Sequence, residues 1–155
     1  MAQEIERKFL VVNHDWRNLA QGTLYRQGYL CTTAERTVRV RVVGELAYLT
    51  VKGITQGVSR TEFEYETPLT DANQMLDFLC EKPIIEKFRY KISFSNLIWE
   101  VDEYLGENHG LIVAEVELTH ENQELILPSW IGKEVSDDIR YYNANLVANP
   151  FSRWR

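Results

Sequence analysis

A chain of 155 residues and 18.2 kDa is long enough for one core and too short for two, and its 45% hydrophobic, 26% charged and 12% aromatic content lies far from the composition of disordered chains. No apolar run reaches the roughly 18 residues needed to span a bilayer, and Met1-Ala2-Gln3-Glu4 has neither a basic region nor an apolar signal stretch. One unit over residues 1–155 is therefore expected, cytoplasmic and without a membrane partner; a net charge of −6 argues equally against a nucleic-acid partner, while leaving room for a local basic cluster that holds an anion.

Alternation of apolar and polar residues predicts strands over 4–12, 23–31, 37–43, 47–53, 60–67, 84–94, 97–104 and 111–119. Residues 15–20 read as a short helical turn between the first two. After the fifth strand, Thr70-Asp71 caps a helix whose Met75, Leu76, Phe78 and Leu79 recur at helical spacing, and Pro83 stops it. A second short helical turn is expected at 120–125 and a terminal helix at 138–148, before Pro150. Gly44, Gly53, Gly57, Ser95-Asn96 and the stretch from Gly106 to Gly110 supply short turns suited to antiparallel hairpins. The fold class is α+β, mainly β, with an eight-stranded antiparallel sheet and a few helices packed outside it.

Familiar chemical signatures are missing. Cys31 and Cys80 lack metal-ligand spacing and read as inert thiols, and His14, His109 and His120 lie scattered in polar segments. The chain has no GxxxxGK[ST] loop, no GxGxxG after a strand and no GxSxG elbow. The anomaly lies in the alternation itself. Its polar face carries Glu4, Glu6 and Lys8, then Arg39 and Arg41, Thr50 and Lys52, and Arg60, Glu62, Glu64 and Glu66. Later strands add Lys87, Arg89 and Lys91, then Glu100 and Asp102, then Glu115 and Glu117. Residues two apart on a strand point to one side, so nearly every strand presents a row of ions.

The simplest meaning of that pattern is a solvent-facing charged sheet. The opposite face, with Ile5, Phe9, Val38, Val40, Val42, Leu49, Val51, Phe63, Tyr65, Phe88, Tyr90, Ile92, Ala114 and Val116, is strongly apolar and needs helices or a second copy of the chain, a homodimer, to cover it. An eight-strand antiparallel sheet also tends to curl closed, which would put the charges on the concave side. Unpaired charges withdrawn from water are costly, so a lining of both signs makes sense if carboxylates chelate hard cations and bases meet a polyanion.

The run Glu4-Ile5-Glu6-Arg7-Lys8 has the form ExExK, and from it onward the chain resembles the CYTH superfamily, the triphosphate tunnel metalloenzymes. Also similar to that family are Arg39-Val40-Arg41, Thr50-Val51-Lys52-Gly53, Arg60-Thr61-Glu62-Phe63-Glu64, Lys87-Phe88-Arg89, Trp99-Glu100-Val101-Asp102 and Ala114-Glu115-Val116-Glu117-Leu118. The segment from Trp130 to Ser136, followed by Asp138, Arg140, Tyr141 and Asn143, is similar to the closing motif of short bacterial members. Together these blocks cover about residues 3–150.

The resemblance implies a closed eight-stranded barrel, the triphosphate tunnel, that binds a triphosphate-containing small molecule with a divalent metal and cleaves a phosphoanhydride. Glu4, Glu6, Glu115 and Glu117 become the expected metal ligands, an oxygen-only set suited to Mg²⁺ or Mn²⁺. Lys8, Arg39, Arg41, Lys52, Arg60, Lys87, Arg89 and Lys133 become the triphosphate-binding bases. Glu62, Glu64 and Asp102 are expected as catalytic groups that bind a second metal or position water. Tyr29 and Tyr104 are expected to pack rather than to act, and the segment 139–148 to close one tunnel mouth or to pack at an edge. Inorganic triphosphatase is the first reading of function. Thiamine triphosphatase and adenylate cyclase use the same grip, and a non-catalytic polyphosphate or nucleotide-binding module is the reading of another class.

Overall fold

In the computed structural model, which describes residues 3–154, every alternating segment is a strand: β1 (Gln3–Val11), β2 (Thr23–Thr33), β3 (Arg36–Val43), β4 (Leu46–Gly53), β5 (Ser59–Thr67), β6 (Ile85–Phe94), β7 (Leu97–Tyr104) and β8 (Ile112–Glu117). Residues 1, 2 and 155 of the expected 1–155 unit, with the Met1-Ala2 of the N-terminal reading, lie outside the described residues. The sheet order is β5-β4-β3-β2-β6-β7-β8-β1, and β1 pairs back onto β5, so the sheet closes on itself with every neighbour antiparallel. Tight hairpins make this order possible. Ser95 and Asn96 both adopt positive φ, 50° and 65°, in the two-residue turn between β6 and β7, the twist that antiparallel strands favour.

Closure uses only one end of β1. Gln3, Glu4 and Ile5 face Thr61, Arg60 and Ser59 of β5, while Phe9 and Val11, further along the same strand, face Glu134 and Ile131. Those two belong to a ninth strand, β9 (Ile131–Glu134), which the alternation does not announce. Four residues are too few to show a period, and this strand exists because β1 continues past β5 and its backbone groups need partners.

The outer apolar face is covered by local elements. Helix α1 (Leu69–Phe78) lays Ala72 and Leu76, with Cys80 beyond it, on Val40, Val42 and Ala47. Its close approach to β2 requires Gly28, where a Cβ would lie 2.8 Å from Cys80 Cβ and 3.0 Å from Leu76 Cδ2. Trp16, on a 3₁₀ turn at Asp15–Asn18, and Trp130 cover Phe9, Ile92, Trp99, Val101, Ala114 and Val116. The aromatic rings there meet edge-on or tilted, Phe9 to Trp99 at 5.5 Å and Trp99 to Trp130 at 6.0 Å. Phe63 and Tyr65, outside β5, stay exposed on the single chain.

The expected terminal helix is split. Tyr142 is extended (φ −74°, ψ 133°) and its hydroxyl donates to the Ser136 carbonyl, which separates a 3₁₀ turn at Ile139–Tyr141 from α2 (Asn143–Ala148). Leu146 and Val147 of α2 pack with Tyr29, Ile85, Tyr104, Leu111 and Val113, at the end of the barrel where β6 begins and β7 finishes. The helical turn expected at 120–125 is reduced to one hydrogen-bonded turn, His120 to Gln123, with no helix; the Gln123 side chain bends back to accept from the backbone and hydroxyl of Thr119. Among the described residues no helix is long and apolar enough to cross a membrane.

Candidate active site

Closure turns the charged rows inward, against the solvent-facing expectation. Glu4, Glu6 and Lys8 of β1, Arg39 and Arg41 of β3, Lys52 of β4, and Arg60, Glu62 and Glu64 of β5 line one cavity of about 550 Å³. Arg89 of β6, Glu100 of β7, Glu115 and Glu117 of β8, and Asp137 beyond β9 complete its charged lining. The signs are segregated. Carboxylates concentrate on β1, β5, β7 and β8, and bases on β3, β4 and β6.

Register makes the carboxylate wall repulsive. Glu6 lies directly opposite Glu117 across the β1–β8 pair, and Glu100 directly opposite Glu115 across β7–β8. Like charges in such positions destabilise a sheet. Burial, reinforced by Glu115, raises the Glu6 carboxyl to about 7, and burial with Glu4 and Glu6 raises Glu117. Burial pushes the same way on Glu115, but Lys8 and Arg89 beside it hold that carboxyl well below the usual range. Two lysines stand among the acids. Lys52 donates to both Glu4 oxygens at 3.2 and 3.1 Å, and Lys8 lies 3.1 Å from Glu6 and 3.3 Å from Glu115.

Among the described residues no three carboxylate, imidazole or thiol groups converge on one point; Glu4, Glu6 and Glu115 lean to lysines or an arginine instead. The donor chemistry nevertheless fits a hard divalent ion: four glutamates, all oxygen, two of them, Glu6 and Glu117, directly opposed and both raised by burial and by neighbouring carboxylates. A cation between them would relieve that repulsion and free Lys8 and Lys52 to face an anion.

The basic side is prepared for such an anion. Arg39 reaches Thr50 and Glu64 through Nη2 at 3.2 and 3.3 Å, while its buried Nε has no partner among the described residues. An orphaned buried donor is expensive unless something else accepts from it. Among the described residues Arg60 donates only to the Gly53 carbonyl and has no counter-ion. Glu64 also accepts from Thr50 Oγ1 at 2.8 Å, and Glu62 stands 3.9 Å from Lys52.

Three expected site residues lie elsewhere. Asp102 and Lys87 are wholly buried beneath the cavity and do not line it. Asp102 accepts from Lys87 at 2.8 Å and from Arg89 at 2.7 and 2.8 Å, so both its oxygens are committed to holding the floor rather than left open to water or metal. Lys133 is exposed on β9, an edge strand, and borders a separate surface groove with Asp138 and Arg140.

Other residues enter that charge patterning does not reveal. Tyr29, expected to pack, is buried yet lines the cavity; Tyr104 packs as expected, its hydroxyl donating to Asn143 Oδ1 at 2.8 Å. The segment expected to close a mouth does contribute to the lining, through Ile139, Tyr142, Asn143, Ala144 and Asn145. Ser136 Oγ accepts from the Lys8 backbone N–H at 2.9 Å, and the Tyr142 ring lies 5.9 Å from Lys8 Nζ.

This arrangement can bind a polyanion along one wall and a hard cation along the other. Known proteins agree in sequence and shape. Residues 2–148 match the CYTH domain. A protein of Acetivibrio thermocellus named inorganic triphosphatase is 53% identical over 155 residues, covering 100% of this chain and 99% of that one. One from Nitrosomonas europaea with the same name is 37% identical over 148 residues, 93% of this chain and 96% of its own. The crystal structure of an inorganic triphosphatase superimposes with a TM-score of 0.67 at 33% identity, covering 95% of each chain.

Proposed function

The chain belongs to the CYTH domain family, and from that premise we propose that it is a divalent-metal-dependent inorganic triphosphatase. The observation that carries this reading is the segregated lining of the closed barrel, a wall of bases facing a wall of mutually repelling carboxylates. Full-length likeness to two proteins named for that activity supports the substrate.

In this reading Lys8, Arg39, Arg41, Lys52, Arg60 and Arg89 hold the phosphate oxygens, arginines through paired N–H groups and lysines as point charges. Glu4, Glu6, Glu115 and Glu117 hold Mg²⁺ or Mn²⁺, which when bound neutralises phosphate oxygens and polarises the bond to be broken. Glu62 and Glu64, at the edge of the basic wall, orient the attacking water. Water adds to a terminal phosphorus, the bridging P–O bond breaks, and orthophosphate and pyrophosphate leave. Such transfer depends on positioning and charge neutralisation and needs no protein nucleophile. Lys87 and Asp102 serve from below by fixing Arg89.

The test is product release from tripolyphosphate, ATP and thiamine triphosphate in Mg²⁺, beside an assay for cyclic AMP. Orthophosphate from tripolyphosphate should dominate and disappear in EDTA. Cyclic AMP formation, or turnover of ATP or thiamine triphosphate in preference to tripolyphosphate, would overturn the assignment.

A further inference from the structure

Most bases of the cavity have acids as partners, Lys8 with Glu6 and Glu115, Arg39 with Glu64, Lys52 with Glu4, Arg89 with Asp102. Arg41 has none among the described residues. It lines the cavity, and its cross-strand neighbours are Gln27 on β2 and Tyr48 on β4, both uncharged. Its Nε donates to Gln27 Oε1 at 3.0 Å. The Arg41 guanidinium lies 5.1 Å from the centre of the Tyr25 ring, which Arg89 also approaches at 5.0 Å. Gln27 is wholly buried behind Arg41, and its Nε2 donates to the Tyr29 hydroxyl at 3.3 Å. That second bond fixes the amide, so its oxygen faces the arginine.

We propose that Gln27 is a positioning residue of the triphosphate grip: with the Tyr25 ring it forms a neutral saddle that aims Arg41 into the cavity and leaves its charge uncompensated for the substrate. The chemistry follows from which nitrogen is held. Nε is engaged from behind, so both terminal nitrogens stay available as a fork for phosphate oxygens. A carboxylate in place of Gln27 would accept the same bond and neutralise the guanidinium, competing with the phosphate. Burial, with Arg39 and Arg89 nearby, brings the Arg41 pKa down to about 10, which still leaves it charged at neutral pH. An amide can hold such a group without cancelling it.

This inference rests on reading the cavity as a triphosphate site, and two assays keep the readings apart. Wild-type hydrolysis of tripolyphosphate in Mg²⁺ tests the function; calorimetric binding of tripolyphosphate in EDTA tests the grip. Gln27→Glu should weaken metal-free binding roughly tenfold, the scale of one charge-assisted contact, and should raise KM more than it lowers kcat. Gln27→Met, uncharged and of similar length, should weaken binding less than Gln27→Glu does. In an Arg41→Ala background neither change should cost further affinity, because Gln27 acts through Arg41. Melting curves establish that each variant is folded, and the methionine variant carries the test if the glutamate variant is not. Wild-type affinity in the folded variants, losses that add in full to Arg41→Ala, or failure of both variants to fold would overturn the assignment. Absence of hydrolysis with these binding results intact would instead overturn the proposed function.

Discussion

At Glu117 a single proton's worth of charge separates stability from activity. It faces Glu6 directly and is raised by burial and by Glu4 and Glu6, so Glu117→Gln removes a repulsion the metal-free protein carries. The variant should melt at or above the wild-type temperature while its turnover with Mg²⁺ falls by roughly two orders of magnitude or more, as expected when a metal's charge stabilisation is lost. Full turnover would remove Glu117 from the metal set. Glu6 makes the parallel prediction in pH. With its carboxyl raised from 4.5 to about 7, the folded state keeps a proton that the unfolded chain has released between those values. Metal-free stability should therefore fall as pH rises from about 4.5 to 7 and level off above, with Glu117 adding to the same limb. Urea melts across that range should show the limb flattened in Glu6→Gln; an unchanged limb would place the titrating group elsewhere. The charged lining was legible because ions at every second position are conspicuous. Tyr25, Gln27 and Tyr29 sit on the same inner face but carry no charge, and nothing in the pattern separates them from packing residues. Depth was equally hidden. Asp102 alternates in phase with Glu100, yet one is sealed beneath the cavity and the other lines it.

Among the elements, long strands announce themselves and short ones depend on what they pair with. All eight alternating segments fold as strands, since side-chain period and burial agree over eight or more residues in most of them. β9 is recruited by the unpaired edge of β1 and the terminal helix is broken at Tyr142 by a bond to Ser136, and neither event is written in local propensity. The contact between β2 and α1 is a matter of one missing Cβ. Gly28→Ala would bring a methyl to 2.8 Å from Cys80 Cβ and 2.9 Å from its sulfur, so helix and strand must part. Denaturant unfolding should register a loss of about 1–3 kcal/mol, the usual penalty for overpacking. A loss below about 0.5 kcal/mol, the level of an ordinary surface change, would mean that α1 shifts freely on the barrel.

For the whole molecule, closure converts an ordinary amphipathic sheet into a charged interior, which in the proposed function metal and polyanion would fill. In the free chain Lys8 pairs with Glu6 and Glu115 and Lys52 with Glu4, offsetting only part of the repulsion among the acids; metal and polyanion together would replace those internal pairs with stronger ones. The most direct test is the melting temperature with Mg²⁺ and tripolyphosphate, under conditions of negligible turnover, against Mg²⁺ with pyrophosphate and across a salt series. Ligand at a hundredfold excess over Kd stabilises by about 2.7 kcal/mol, which for a chain of this size is a rise of several degrees. The rise should be larger for tripolyphosphate, which reaches more of the bases, and should persist at about 0.1 M salt, where exposed charges are already screened within about 10 Å. Equal shifts with both anions that vanish in that salt would mean the charges meet solvent, and would contradict the tunnel as the binding site.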